Sequence, residues 1–225
     1  PGRAGITRGG LDRAISGAPR MGVTALSPRR IGVFGGAFDP PHNAHRALLQ
    51  VALDQLQLDA MYVLPTGHAW HKARVLTDGA QRLAMAQLAF ADMPRVQVDG
   101  RELQRAGPTY TIDTLRELQH EHPGAQLFLL MGADQAAALK TWHAWQAILQ
   151  SAIICIAGRA QTLSASGIFD ASKYPGGRFE TLHMPPLNVS ATDIRSRVAA
   201  HMGIDHLVPA GVARYIDQHH LYLAV

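Results

Sequence analysis

A short apolar run, Ile31-Gly-Val-Phe34, meets two consecutive glycines and is soon followed by an amphipathic segment; no other stretch constrains the fold so tightly. From His45 onward Ala47, Leu48, Val51 and Ala52 fall at i, i+1, i+4, i+5, the spacing of one helical face. Strand, glycine turn at Gly35-Gly36, then helix are expected, the opening of a nucleotide-binding α/β unit. Glycine lacks the Cβ that would hold a phosphate off the backbone, and the first turn of a helix offers unpaired N–H groups and partial positive charge. His42 and His45, three apart, are expected on one face of that helix end, where imidazole N–H groups can donate to phosphate oxygens. A glycine pair alone is usually just a turn, and a lone histidine usually caps or packs a helix. Together they point to a polyphosphate. The string is neither G-x-G-x-x-G nor a Walker A loop, since no Gly-Lys-Ser/Thr follows the glycines.

A chain of 225 residues, 47% hydrophobic and 17% charged, suits one α/β domain with a real core. No apolar run approaches the ~18 residues that cross a bilayer, so no membrane association is expected. The formal charge of +4 comes largely from Arg3, Arg8, Arg13, Arg20, Arg29 and Arg30 ahead of the first strand, which gives no nucleic-acid face. Residues 1–28, rich in Gly, Arg, Ala and Ser, read as a flexible extension, with Met21 an alternative start and a mitochondrial-type leader a lesser one; residues 29–225 form the expected domain. Cys155, the only cysteine, cannot form an internal disulfide, which fits a reducing cytoplasm. The twelve histidines lack zinc-finger spacing, and His68/His71, His120/His122 and His219/His220 read as solvated surface.

Further along, strands are expected at 61–64, 96–99, 126–131, 152–156 and 179–183, alternating with helices at 81–90, from Thr111 as N-cap to about His120, and from Trp142 to about Leu149. That alternation predicts a single Rossmann-like doubly wound parallel sheet with helices on both faces. Loops at the carboxyl ends of the strands line the crevice of such a sheet, which makes Lys72, Arg74 and Asp134 candidates for ligand contact. Of Trp142 and Trp145, one is expected in the core and the other free to stack on a flat ring. Ser190 or Thr192 can cap a helix carrying Ile194 and Val198, so that a hydroxyl, free amides and Arg195 converge on one phosphate. An amphipathic helix from Val208 through Asp217 to Tyr222 closes the chain.

The opening string resembles the G-G-x-F-x-P-x-H-x-G-H signature of the HxGH (HIGH-type) nucleotidyltransferase superfamily, matched by Gly35, Gly36, Phe38, Pro40, His42 and His45, with Ala44 in place of the family's glycine. With it run His71-Lys72 after Pro65, Arg101-Glu-Leu103, Gly107-Pro-Thr-Tyr-Thr111, Gly132-Ala-Asp134, Thr141-Trp142, Val189-Ser-Ala-Thr-Asp-Ile-Arg195 and Tyr215-Ile…Leu221-Tyr222. That order, over about residues 30–223, resembles the bacterial nicotinate-mononucleotide adenylyltransferases.

The resemblance implies the nucleotidyltransferase fold and transfer of AMP from ATP to nicotinate mononucleotide in NAD synthesis, with pyrophosphate released. It implies that His42, His45 and Arg195 act on the phosphates. Gly35, Gly36, Ala37, Phe38, Ser190 and Thr192 would bind ATP, and Lys72, Thr109, Thr111, Asp134 and Trp142 the mononucleotide. Mg²⁺ would be held by ATP phosphates and water, with no protein cage. The family has Ser where this chain has Thr109. Rival readings are an adenylyltransferase for nicotinamide mononucleotide or phosphopantetheine, a non-catalytic nucleotide-binding module, and a fragment of a class I tRNA synthetase. Phosphopantetheine enzymes lack the Thr-Trp and Pro-Thr-Tyr-Thr segments, and the synthetases' Lys-rich loop is missing here. A homo-oligomer remains open.

Overall fold

Runs of apolar residues interrupted by helical periodicity build a parallel sheet here, because each crossover helix covers one face and leaves the strands buried on both. The computed structural model describes residue 2 and residues 27–67, 75–158, 169–185 and 187–223. The strands are β1 (Arg30–Gly36), β2 (Ala60–Pro65), β3 (Val96–Val98), β4 (Gln126–Gly132), β5 (Ala152–Gly158) and β6 (Phe179–His183). The helices are α1 (Asn43–Gln55), α2 (Gly79–Phe90), α3 (Arg101–Gln104), α4 (Thr111–Glu121), α5 (Ala133–Ala137), α6 (Trp145–Ser151), α7 (Ala191–Ala199) and α8 (Ala210–Gln218). All five strand pairings are parallel, in the order β3-β2-β1-β4-β5-β6. This is the doubly wound sheet that the alternation predicted. The order reverses between β1 and β4, where such sheets open a crevice.

Strand alternation sends successive side chains to opposite faces, and two cores result. Phe34, Phe128, Leu130, Ile153 and Cys155 pack with α1, α2 and α8 on one face. Ile31, Val33, Leu127, Leu129, Ile154 and Ile156 pack with α4 and α6 on the other. Each fully buried Leu or Ile contributes roughly 1.5–3 kcal/mol of transfer free energy. Among the described residues no helix is long and apolar enough to cross a membrane.

Several local expectations need correcting. β1 does not stop at Gly35: it runs through Gly36, which pairs with Pro65 of β2. The sharp turn falls at Phe38, with φ 47°. Arg30 does not belong with the basic leader; its guanidinium, over the Phe128 ring at 4.4 Å, donates to Leu56 O at 2.8 Å. Tyr110, not Thr111, is the N-cap of α4. Ala144, at φ 51°, delays the start of α6 to Trp145, whose ring meets Tyr174 edge-on at 5.8 Å. The final helix ends at Gln218, and the chain then turns back to Tyr222. His122 is no simple surface group, since its Nε2 lies 2.9 Å from Tyr62 Oη. The extension over residues 3–26, His68 and His71 lie outside the described residues.

Candidate active site

Between the carboxyl ends of β1 and β4 lies a cavity of about 370 Å³. Gly35, Gly36 and Ala37 form one wall, Thr109, Tyr110 and Thr111 a second, and Asp134, Thr141, Trp142 and His143 a third. Four of the five residues expected at the mononucleotide, Thr109, Thr111, Asp134 and Trp142, thus line one space with three of those expected at ATP. The fifth, Lys72, and its companion Arg74 lie outside the described residues. Each wall has a local cause. Gly35 lines the cavity, and a Cβ there would meet no protein atom within 4 Å. On Gly36 a Cβ would stand 3.0 Å from the Phe38 ring, so a larger residue beneath that turn would need the ring to give way. The first amides of α4 have no carbonyl four residues back to bond, and Tyr110 offers them no side-chain cap. A carboxylate is the natural partner for that end.

His42, His45, Phe38, Ser190, Thr192 and Arg195 are not on the cavity wall; the first three sit at the start of α1 and the last three at the start of α7. His42 is the N-cap of α1, and its ring stacks on that of His45, centroids 3.7 Å apart at 22°. The His42 N–H donates to His45 Nδ1 at 3.1 Å. That fixes the tautomer: neutral His45 carries its proton on Nε2, and that N–H is the group left to donate. His42 Nδ1 is buried with no hydrogen-bond partner among the described residues. Burial lowers the His42 pKa from 6.5 to about 4. Burial, then the charge of His42, puts His45 well below 6.5. Both imidazoles are therefore neutral at pH 7.

Phe38 turns its side chain inward. Its side chain is 2% exposed and packs edge-on against His45 at 5.1 Å and Phe34 at 5.5 Å, a shelf under the imidazole. Arg195, on α7, reaches the loop between β1 and α1. Its Nη1 donates to the Asp39 carbonyl at 2.8 Å and its Nη2 to Thr192 Oγ1 at 3.1 Å. Ser190 is the N-cap of α7, its Oγ accepting from the Asp193 N–H at 3.1 Å. The two distant stretches that the sequence marked out thus meet.

Sequence reasoning missed the groups that hold this loop. Arg82, buried on α2, donates from Nη1 to the Ala37 carbonyl at 3.0 Å and from Nε to Thr77 O at 2.8 Å. The Asp39 carboxylate, 2% exposed, accepts from Tyr222 Oη at 2.6 Å and from the Thr77 N–H at 3.3 Å. A carboxylate inside a loop suited to anions was itself the signal, since such a charge has to be satisfied elsewhere. Burial and the Asp39 carboxylate push the Tyr222 hydroxyl well above the ordinary phenol range, so it stays a donor. Glu102, a buried cavity residue, accepts from Thr114 Oγ1 at 2.7 Å, and burial raises its carboxyl pKa. Among the described residues no three His, Cys, Asp or Glu side chains come together to hold a metal.

Residues 33–197 match the family model described as cytidylyltransferase-like. A protein of Albidiferax ferrireducens named probable nicotinate-nucleotide adenylyltransferase is 59% identical over 194 residues, 86% of this chain and 98% of that one. A protein of the same name from Pseudomonas aeruginosa is 41% identical over 211 residues, covering 87% and 98%. Among solved structures, the nicotinic acid mononucleotide adenylyltransferase of Plasmodium falciparum complexed with NaAD superposes with a TM-score of 0.69 at 18% identity, over 86% of this chain and 97% of that one. At that identity the likeness bears on the fold, which it matches.

Proposed function

The chain belongs to the nicotinate-nucleotide adenylyltransferase family, within the cytidylyltransferase-like group, and from that premise we propose that it joins ATP and nicotinate mononucleotide into nicotinate adenine dinucleotide and pyrophosphate, a step of NAD synthesis. The mononucleotide's phosphate oxygen attacks the α-phosphorus of ATP in line, and pyrophosphate departs. That nucleophile is already an anion, so no strong base and no covalent enzyme intermediate are needed. The protein's task is to hold two mutually repelling anions in line and to meet charge as it develops.

In this reading His45 Nε2–H donates to the α-phosphate, and His42, with an orphaned nitrogen in the same stack, gains a phosphate partner. The backbone at Gly35, Gly36, Ala37 and Phe38 lies along the α-phosphate. Ser190, Thr192 and Arg195 take the outer phosphates. In the cavity, Trp142 stacks on the pyridine ring, Asp134 accepts from a ribose hydroxyl, and the start of α4 at Thr111, with Thr109 beside it, receives the ring carboxylate. Lys72 is assigned to a substrate phosphate. Neutral imidazoles and hydroxyls make a poor cage for Mg²⁺, which would be held by the phosphates and water and would supply neutralising charge for the leaving group. Residues 29–225 are taken as the catalytic unit, with 1–28 an extension to it, in the cytoplasm as the lone Cys155 suggests.

One observation carries the assignment: the Arg195–Asp39 hydrogen bond, across 156 residues, brings the late helix onto the loop that bears the two histidines. Pyrophosphate release with ATP is the test, run with nicotinate and nicotinamide mononucleotides side by side. A strong kcat/KM preference for the acid is expected, because uncapped α4 amides favour a carboxylate. Equal values would defeat the acid assignment, and no release with either would leave a nucleotide-binding module.

A further inference from the structure

The peptide between Phe38 and Pro40 is where four parts of the chain meet. Its carbonyl takes Arg195 Nη1 at 2.8 Å. Its side chain, Asp39, takes the Thr77 N–H from the segment before α2 and the Tyr222 hydroxyl from beyond α8, the latter at 2.6 Å. Tyr222 sits at φ 66°, a left-handed conformation that a bulky residue keeps only where its surroundings hold it. Its ring packs among the core side chains of that face, with the hydroxyl 3.9 Å from Met85 Sδ. The side chain is therefore anchored at both its ring and its hydroxyl, and what the hydroxyl anchors is the peptide three residues before His42.

We propose that Tyr222 is a positioning residue for nucleotide binding: through Asp39 its hydroxyl fixes the peptide that orients Arg195 and leads into His42 and His45. A carboxylate buried to this degree cannot be left short of donors, so it moves toward whichever donors are available. Removing the Tyr222 hydroxyl frees it to turn, and the carbonyl on the same residue turns with it. Arg195 then loses a fixed partner, and the helix start bearing the histidines loses the strut that precedes it. This rests on the assignment of Arg195, His42 and His45 to the triphosphate. It adds a residue that touches no substrate and that acts on ATP rather than on the mononucleotide.

The test is calorimetric binding of α,β-methylene ATP with Mg²⁺ to the full chain. Tyr222→Phe removes one oxygen and keeps the ring. Its Kd is expected to rise about tenfold, the effect of losing a charged-group hydrogen bond in a coupled network. In turnover KM for ATP rises while KM for the mononucleotide stays within about twofold of wild type. Tyr215→Phe is the control, since that hydroxyl also makes a 2.6 Å bond, to Gln81, in the same terminal region. It should leave the analogue's Kd unchanged. Asp39→Asn should weaken binding similarly, and the Tyr222→Phe, Asp39→Asn pair should be far from additive.

An unchanged Kd in Tyr222→Phe, an equal loss in Tyr215→Phe, or additivity would each overturn the proposal and leave Tyr222 a structural brace. If Tyr222→Phe fails to fold, amide exchange in the wild-type chain decides. Exchange at 219–223 should slow when the analogue binds, and exchange that does not change overturns the proposal. Analogue binding does not depend on the acceptor, so a chain that binds it but leaves nicotinate mononucleotide unconverted counts against the proposed reaction alone. A wild-type chain that binds no analogue overturns both.

Discussion

His45 shows how much a single side chain can be asked to do. Its Nδ1 is committed to the His42 N–H, its ring is stacked and shelved, and its Nε2–H is the donor left over. His45→Ala should lower kcat by ~10²-fold or more, the scale of losing one preorganised donor to developing charge; near-normal turnover would remove it from the mechanism. His42 supplies a pH signature. Its pKa in the folded chain is about 4 against 6.5 in the unfolded chain. The unfolded chain therefore binds the proton first as pH falls. Stability is whole above pH 6.5 and declines toward pH 4, by roughly 3 kcal/mol at 1.36 kcal/mol per pH unit. Urea midpoints at pH 7 and 5 should show about 2 kcal/mol of this loss in the wild type and less of it in His42→Asn, which removes the titrating ring. Parallel slopes in the two proteins would show that His42 titrates normally. The two histidines were legible from their spacing beside the glycines. Asp39, Arg82 and Tyr222 were not, because their partners lie 38, 45 and 183 residues away along the chain.

Among the elements, the long runs were legible and the joints were not. The apolar stretch of β4 and the alternation of strand with helix gave the sheet, since burial on both faces leaves an unbroken hydrophobic signature. The glycines after Phe34 looked like a turn because glycine tolerates one, yet both are extended and the turn belongs to Phe38. What crowds position 36 is the Phe38 ring lying over it, a contact that local preference cannot anticipate. Gly67, after β2, is a second close approach. A Cβ there would run into the Glu102 carbonyl oxygen of α3 and stand 2.7 Å from Thr109 Oγ1. Gly67→Ala should destabilise by about 1–3 kcal/mol. Because Thr109 lines the cavity, KM for the mononucleotide should rise with it. An unaltered melting temperature would mean that α3 yields freely.

For the molecule as a whole, the strand order is what makes one site out of many parts. The strand order, not the strand direction, reverses between β1 and β4, and the cavity lies at that switch point. Two neighbouring regions predict separable ligand effects. The ATP analogue and nicotinate mononucleotide, each at 100 times its Kd, should each stabilise the fold by about 2.7 kcal/mol, raising the melting temperature by roughly 5–10 °C. Trp142→Ala should abolish the mononucleotide's shift and spare the analogue's; loss of both would mean that the regions are not independent. The sheet was legible from pattern and the pairing of its loops was not, since periodicity carries no information about which loops meet. That pairing also sets a clock on biosynthesis. β1 leaves the ribosome before every other strand, and Tyr222 is translated after all six, so the nascent polypeptide carries Asp39 throughout elongation without the phenol that completes it. Assembly of the glycine-rich loop thereby waits for a residue made after all six described strands, and a product that stops short of Tyr222 would carry the histidines without that phenol.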